Sequence, residues 1–120
     1  MKSDFEQWLG AQFADTGAFT IFIVLVRIAG SDVSAVKSTY AQMIGDDMKW
    51  SDMRTLLDGA GTAWDAVAFF VGLGAGGPLM DAVARAKLKE IEASVLADPL
   101  ALNRGMFFDR QGRHLQIDEA

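Results

Sequence analysis

The sequence contains no cysteine, and this absence excludes several kinds of site at once. Disulfide bonds, zinc sites with thiolate ligands, iron–sulfur clusters and cysteine nucleophiles all require that residue. A chain without cysteine is consistent with a reducing compartment, where disulfides are rare. Histidine is almost as scarce, since His114 is the only one. One histidine cannot build a multi-histidine metal centre, and a catalytic one would need a partner nucleophile. We therefore predict no metal and no cofactor, and a surface position for His114.

The sequence also has few basic residues and no long apolar run. The chain has 11 basic and 16 acidic residues and a formal net charge of −5. Nucleic-acid-binding proteins usually carry a basic face, so we predict no nucleic-acid partner. The most apolar stretch, 18–29, contains Arg27 and is shorter than the ~20 residues of a membrane-spanning helix. The first residues lack the basic and apolar segments of a signal peptide. We predict a cytoplasmic protein that does not associate with membranes.

The composition is that of a folded chain. Hydrophobic residues make up 51% of the 120 positions, which is enough for a core, and charged residues make up 22%. These values exclude intrinsic disorder and fibrous architectures. The length fits one domain, and we assign 1–120 to it.

Two apolar segments, 19–28 and 64–71, have the composition of β-strands. The first is almost continuously apolar and rich in β-branched residues, which is typical of a strand buried on both faces. Such a strand needs helices on both sides of its sheet. A buried helix remains open for this segment, because periodicity cannot separate the two structures over ten residues.

Four segments have the apolar spacing and the end signals of helices: 3–14, 32–44, 52–58 and 78–97. Ser31 is placed to cap the second of them, just after Gly30. Pro78 opens the fourth, at a position where helices favour proline.

The end of the chain predicts a β-hairpin, with strands 106–109 and 114–118 around a turn that contains Gly112. Alternation puts Phe107 on the outer face, and the core face then carries Met106, Phe108, Leu115 and Ile117. The predicted fold is α/β or α+β, with about four helices around a small sheet of two long apolar strands and this hairpin. An all-α bundle is the alternative.

A glycine-rich turn between the second strand and the fourth helix is the most specific motif. Gly72, Gly74 and Gly77 fit G-x-G-x-x-G, and Gly76 lies within it. Glycines let a backbone approach an anion, and a helix N-terminus favours negative charge. No lysine or arginine flanks the turn, and the acidic residue of a dinucleotide site is missing. The turn is either a small-molecule or anion site or a packed connection between strand and helix.

The acidic residues suggest chemistry only weakly. A loop holds Asp46, Asp47 and Asp52, but it lacks the alternating ligands and the closing glutamate of a calcium loop. Asp58 and Asp65 would support acid–base chemistry only if they faced each other, which the sequence does not show. We assign no catalytic residue.

Two aromatic residues are candidates for an interface. Trp50, between Lys49 and Ser51, either folds back onto the core or anchors a partner. Phe107 on the edge hairpin has the same two interpretations. The sequence therefore predicts a non-enzymatic protein–protein interaction or regulatory module that self-associates. The alternative is a small-molecule or anion-binding domain, possibly an enzyme, centred on 72–77.

Overall fold

The computed structural model describes residues 2–116. Within them three α-helices, one 3₁₀ helix and five strands follow in the order α1 (Asp4–Thr16), β1 (Phe19–Ala29), β2 (Asp32–Met43), α2 (Trp50–Asp58), β3 (Ala66–Gly72), α3 (Asp81–Ala97), the 3₁₀ helix (Pro99–Arg104), β4 (Met106–Asp109) and β5 (His114–Leu115). The predicted α+β class is confirmed, and the all-α alternative is wrong.

The five strands form one antiparallel sheet in the order β2–β1–β3–β4–β5. β1 pairs with β2 along its whole length and with β3 over Thr20–Val26. Its first eight residues are buried, as expected for a strand with neighbours on both edges and helices on both faces. The predicted strand over 19–28 is confirmed and is buried over its first eight residues, whereas Arg27 and Ile28 are exposed. The second predicted strand, 64–71, is observed as Ala66–Gly72.

Helices cover both faces of this sheet. Alternate residues of β1 point to opposite faces, so Ile21 and Ile23 belong to one core and Phe22 and Val24 to the other. The first core lies under α1 and α2, and its aromatic rings are Phe5, Trp8, Phe19, Trp50, Trp64, Phe69 and Phe108. The second core lies under α3 and the 3₁₀ helix, where Ile91, Val95 and Leu102 pack.

The segment 32–44 is a strand and not the predicted helix. Gly30, with φ 62°, and Ser31 form a two-residue turn that returns the chain alongside β1. Gly-Ser between two strands is a hairpin signal, and β-branched residues such as Val33 and Thr39 favour an extended backbone. The apolar residues of this segment have helical spacing, but the segment is extended because β1 needs a hydrogen-bonded neighbour at its edge.

Two helices begin elsewhere than predicted. α3 starts at Asp81, so Pro78 precedes it and does not open it. The chain is extended there because the Leu79 N–H donates to Thr20 Oγ1 at 2.8 Å, which holds this segment on the sheet.

α2 starts at Trp50, before the predicted 52. α1 begins as predicted, where Ser3 Oγ accepts a hydrogen bond from the Glu6 N–H at 3.1 Å.

The C-terminal hairpin exists, but its predicted faces are wrong. Phe107 lies opposite Leu115, and Phe108 lies opposite His114. Phe107 and Leu115 therefore share the α3 side of the sheet, and Phe108 lies on the α1 side. The prediction assumed one covered face, whereas both faces are covered here. The predicted continuation of the second strand through Ile117 to 118 lies outside the described residues.

Candidate protein interface

The glycine-rich turn folds onto itself. The Gly74 N–H donates to the Gly77 carbonyl at 2.6 Å, and the Gly77 N–H donates to the Gly74 carbonyl at 3.3 Å. These two amides are therefore not free for an anion. The first turn of α3 lies further along the chain and carries Asp81, whose negative charge disfavours an anion at that helix end.

The start of this turn is packed against the sheet. A methyl group on Gly72 would lie 2.6 Å from the Phe22 ring and 2.7 Å from Leu79 Cδ1. Gly76, at the tip, would meet no described atom within 4 Å. The geometry favours the packed connection, and anion binding by this turn stays a prediction without structural support.

The structure places Trp50 and Phe107 in the core. Trp50 is 7% exposed and Phe107 is 2% exposed. The Trp50 indole N–H donates to the Arg110 carbonyl at 2.8 Å, and its backbone N–H donates to Glu6 Oε2 at 2.8 Å. That backbone hydrogen bond lowers the pKa of Glu6. In the folded chain neither aromatic side chain is available to a partner.

Asp58 serves as a hydrogen-bond acceptor within the fold. Its Oδ1 accepts from Trp64 Nε1 and from Arg110 Nη2, each at 3.0 Å, and the Arg110 guanidinium lies 4.3 Å from the centre of the Trp64 ring. Desolvation raises the pKa of Asp58, but the hydrogen bonds from Arg110 and Trp64 outweigh it, so the pKa lies below its ordinary value. These contacts tie α2 to the β4–β5 turn.

Asp65, at the end of the loop that joins α2 to β3, is also a hydrogen-bond acceptor within the fold. Its Oδ2 accepts from the Ile28 N–H at 2.7 Å and from Arg27 Nε at 3.3 Å. The Ile28 hydrogen bond and then Arg27 lower the pKa of Asp65. Asp58 and Asp65 are thus each occupied with separate partners, and their arrangement supports no shared acid–base chemistry.

The remaining polar candidates lie on the surface. His114 is exposed, and its backbone N–H donates to Asp4 Oδ2 at 2.9 Å. Asp46, Asp47 and Asp52 are exposed as well, and Asp52 accepts from the Lys49 N–H at the start of α2. Between residues 2 and 116 no three histidine, aspartate or glutamate side chains lie close enough to hold a metal ion. No helix in this part of the chain has the length and apolarity needed to cross a membrane.

The outer edge of β2 is the most extensive feature that the fold leaves unpartnered. β2 pairs with β1 on one side, and no described strand lies on its other side. Twelve residues at about 3.4 Å each give an edge roughly 40 Å long. An edge strand presents unpaired N–H and C=O groups, which can pair with another strand.

Side-chain contacts to both helical layers hold β2 in place. Lys37 Nζ donates to the Ala60 carbonyl at 2.8 Å, just after α2. Gln42 Nε2 donates to the Leu79 carbonyl at 3.2 Å, and Ser38 Oγ donates to Glu92 on α3. The edge is therefore ordered before any partner arrives, which lowers the entropic cost of pairing with it.

Apolar side chains line grooves on both faces of this edge. A groove of about 360 Å³ separates β2 from α2, and its rim carries Leu56, which is 56% exposed. A second groove, of about 370 Å³, separates β2 from the end of α3, and its rim carries Leu96, which is 89% exposed. Val36, the extra residue of a β-bulge opposite Leu25 and Val26, also lines the second groove and is 40% exposed. We call the β2 edge with Val36, Leu56 and Leu96 the edge surface.

The edge surface is not evident from the sequence, because the apolar spacing of 32–44 predicts a helix. A helix would have satisfied its own backbone, so no edge was expected there. The signal that identifies the strand is the Gly30-Ser31 pair between two β-rich segments. Comparison of this chain with protein family models, with curated proteins and with solved structures finds no significant match.

Proposed function

We propose that this protein is a non-enzymatic interaction module that forms a homodimer through the edge surface. β2 of one copy pairs antiparallel with β2 of the other. The observation that carries the proposal is the twelve-residue edge strand with exposed apolar side chains on both faces. Stable monomers usually shorten, charge, bulge or cover such edges, and β2 carries only one bulge, at Val36, and one lysine, Lys37.

An antiparallel pair of identical strands has two-fold symmetry. Each copy then contributes the same patch, as in the isologous interfaces of most homodimers. The two five-stranded sheets become one continuous sheet of ten strands. The exposed Leu56 and Leu96 of each copy lie beside the junction and lose contact with water.

The edge strand itself is nearly neutral, which suits pairing with an identical strand better than binding of a strongly charged partner. The whole chain carries −5, so two copies repel each other at long range. β2 itself carries one acid, Asp32, and one base, Lys37, and is locally neutral. Pairing of two such edges therefore depends on backbone hydrogen bonds and apolar burial, not on opposite charges.

The size of the edge predicts a dimer of moderate affinity. Its length of roughly 40 Å equals the longest extent of the molecule, which is 40 Å. A strip about 15 Å wide along it hides about 600 Å² on each copy, or about 1,200 Å² in total, at the lower end of specific interfaces. Interfaces at this lower end are typical of transient complexes, so the test covers a wide range of protein concentration.

The test compares two valine-to-lysine variants. Val36→Lys places a charge in the edge surface, whereas Val83→Lys changes a somewhat more exposed valine on α3 outside both grooves. Sedimentation velocity from about 1 to about 500 µM gives the mass of each species. We expect the unchanged chain and Val83→Lys to approach twice 13.0 kDa and Val36→Lys to stay a monomer, with the same circular dichroism.

Two results would contradict the proposal. The first is an unchanged chain that remains a monomer over the whole concentration range. The second is a folded Val36→Lys variant that dimerises as strongly as Val83→Lys, which would place the interface elsewhere.

A further inference from the structure

A cleft of about 650 Å³ opens beside the start of β4, where β3 continues beyond its pairing with β4. β4 pairs with β3 only over Ala66–Phe69, but β3 extends to Gly72. The last three residues of β3 therefore have an open edge on this side. This edge is separate from the edge surface, because β1 lies between β2 and β3.

The open edge presents backbone groups to the cleft. The Phe69 carbonyl points toward Gly105, since a methyl group on Gly105 would lie 2.5 Å from that oxygen. Along a strand, alternate residues direct their backbone groups to the same edge, so the N–H and C=O of Val71 point the same way as those of Phe69. No described strand pairs with Val71 on this edge. One residue of an added strand can therefore form two hydrogen bonds here.

The walls of the cleft come from both layers of the fold. Trp8 of α1 lines one side and Ile91 of α3 lines the other, and Phe70 and Met106 complete the apolar surface. Successive side chains of an added strand would point alternately toward α1 and toward α3. The volume lies within the range of ligand-binding clefts. The cleft thus fits a short extended segment with apolar side chains.

The rim of the cleft carries one arginine that has no ion-pair partner among the described residues. Lys87 and Glu90 lie on the rim and pair with each other at 3.7 Å. Arg104 lies on the rim too, and it forms no ion pair within residues 2–116. Arginine binds carboxylates through two parallel hydrogen bonds. Although the chain as a whole has a net charge of −5, the Arg104 guanidinium makes the rim of the cleft suitable for binding an anionic group.

We propose that this cleft binds the C-terminal residues of an extended peptide, which pairs with β3 at Val71 and places its α-carboxylate at Arg104. All strand pairs in the sheet are antiparallel. A peptide that continues the line of β4 and runs antiparallel to β3 has its carboxyl end toward Met106. That end lies beside Gly105 and Arg104, so the direction of the sheet and the position of the charge agree. Strand addition and carboxylate capture are both known modes of peptide recognition.

The experiment starts from a synthetic library of hexapeptides with a free carboxyl end and every amino acid at the last three positions. The best-bound peptide is made again with a free carboxylate and with a C-terminal amide, and both are titrated into the full chain by calorimetry. We expect apolar residues to be selected and the amide to bind about tenfold more weakly or worse, because it loses the charged hydrogen bonds.

Two arginine variants locate the carboxylate. Arg104→Gln should weaken the acid about tenfold and abolish the difference between acid and amide. Arg85→Gln, on the exposed part of α3 outside the cleft, should bind like the unchanged chain. Val36→Lys should also bind the peptide normally, which separates this site from the proposed dimer.

The proposal is overturned if no peptide is selected, or if the acid and the amide bind equally to the unchanged chain. It is also overturned if Arg104→Gln keeps the preference for the acid. Isobutyrate, a carboxylate without a peptide backbone, serves as the control for strand pairing. If it binds as tightly as the peptide, the site recognises carboxylates alone and the strand pairing is wrong.

Discussion

Gly112 lies where the C-terminal turn contacts the aromatic core, and its replacement by alanine should be costly. Its φ is 76°, in the left-handed region, and a methyl group there would lie 2.7 Å from Trp50 Cγ. Its carbonyl accepts the Phe5 N–H at 3.1 Å, so the turn also holds the start of α1. Alanine therefore meets both backbone strain and a ring that is fixed by its own hydrogen bond to Arg110.

Gly61 supplies a matched control for the strain alone. Its φ is 78°, almost the same, but a methyl group there would meet no described atom within 4 Å. The left-handed conformation costs alanine about 1–2 kcal/mol at either position. Alanine also restricts the unfolded chain by the same amount in both variants, so that contribution cancels in the comparison. The difference between the two variants isolates the collision with Trp50.

The collision should cost about 1–3 kcal/mol, the usual range for overpacking a filled core. For a chain of this size the melting temperature falls by about 4 °C for each kcal/mol. Gly112→Ala should therefore melt about 4–12 °C below Gly61→Ala, and urea unfolding followed by tryptophan fluorescence should give the same order. Equal stability of the two variants would refute the placement of Trp50 against this turn.

Other predictions follow from the polar contacts. Because the pKa values of Glu6, Asp58 and Asp65 are lowered in the folded chain, each carboxylate stabilises the fold above its ordinary pKa, and this stabilisation is lost as the pH falls through the lowered value. The unfolding free energy should decrease from about pH 5 downward, and Asp65→Asn should reduce that slope in urea titrations, whereas an unchanged slope would contradict the assignment. Thr20→Val should cost about 1–3 kcal/mol, because it leaves the Leu79 N–H without its acceptor, and a neutral result by calorimetric melting would show that this hydrogen bond is dispensable.

The central strands were predictable from the sequence because their composition has few alternatives. A nearly continuous apolar run such as 19–28 must be buried on both faces, and this requirement alone predicts helices on both sides of a sheet. The same reasoning applied to 64–71. The helix predicted over 3–14 is also observed, and Ser3 caps its first turn. In each case local composition and tertiary burial favour the same structure.

β2 was not predictable in the same way, because the apolar spacing of its sequence favours a helix, whereas its tertiary position beside β1 requires a strand. Its apolar residues have helical spacing, and its exposed positions are mostly polar, as on a solvent-facing helix. What makes it a strand is β1, whose open edge needs hydrogen bonds that only tertiary structure supplies. Because β2 forms the edge surface, the candidate interface can be recognised only once Asp32–Met43 is known to be a strand.

Trp50 and Phe107 show a different limit. Trp50 lies between Lys49 and Ser51, and alternation puts Phe107 on the face opposite Phe108, so the sequence suggests exposure of both. Trp50 is buried because α1 and the C-terminal turn close over it, with Glu6 and Arg110 as its hydrogen-bond partners. Phe107 is buried because the second helical layer covers the hairpin. Both outcomes depend on contacts between distant parts of the chain, which composition does not reveal.

The most direct measurement of the proposed dimer is hydrogen–deuterium exchange of the β2 amides at two protein concentrations. Strand pairing places amides of 32–43 in new hydrogen bonds, so their exchange should slow between about 1 µM and about 100 µM. The amides of β5 should be unaffected, and Val36→Lys should abolish the concentration dependence. Exchange of 32–43 that is the same at both concentrations, or slowing confined to another surface, would contradict the account.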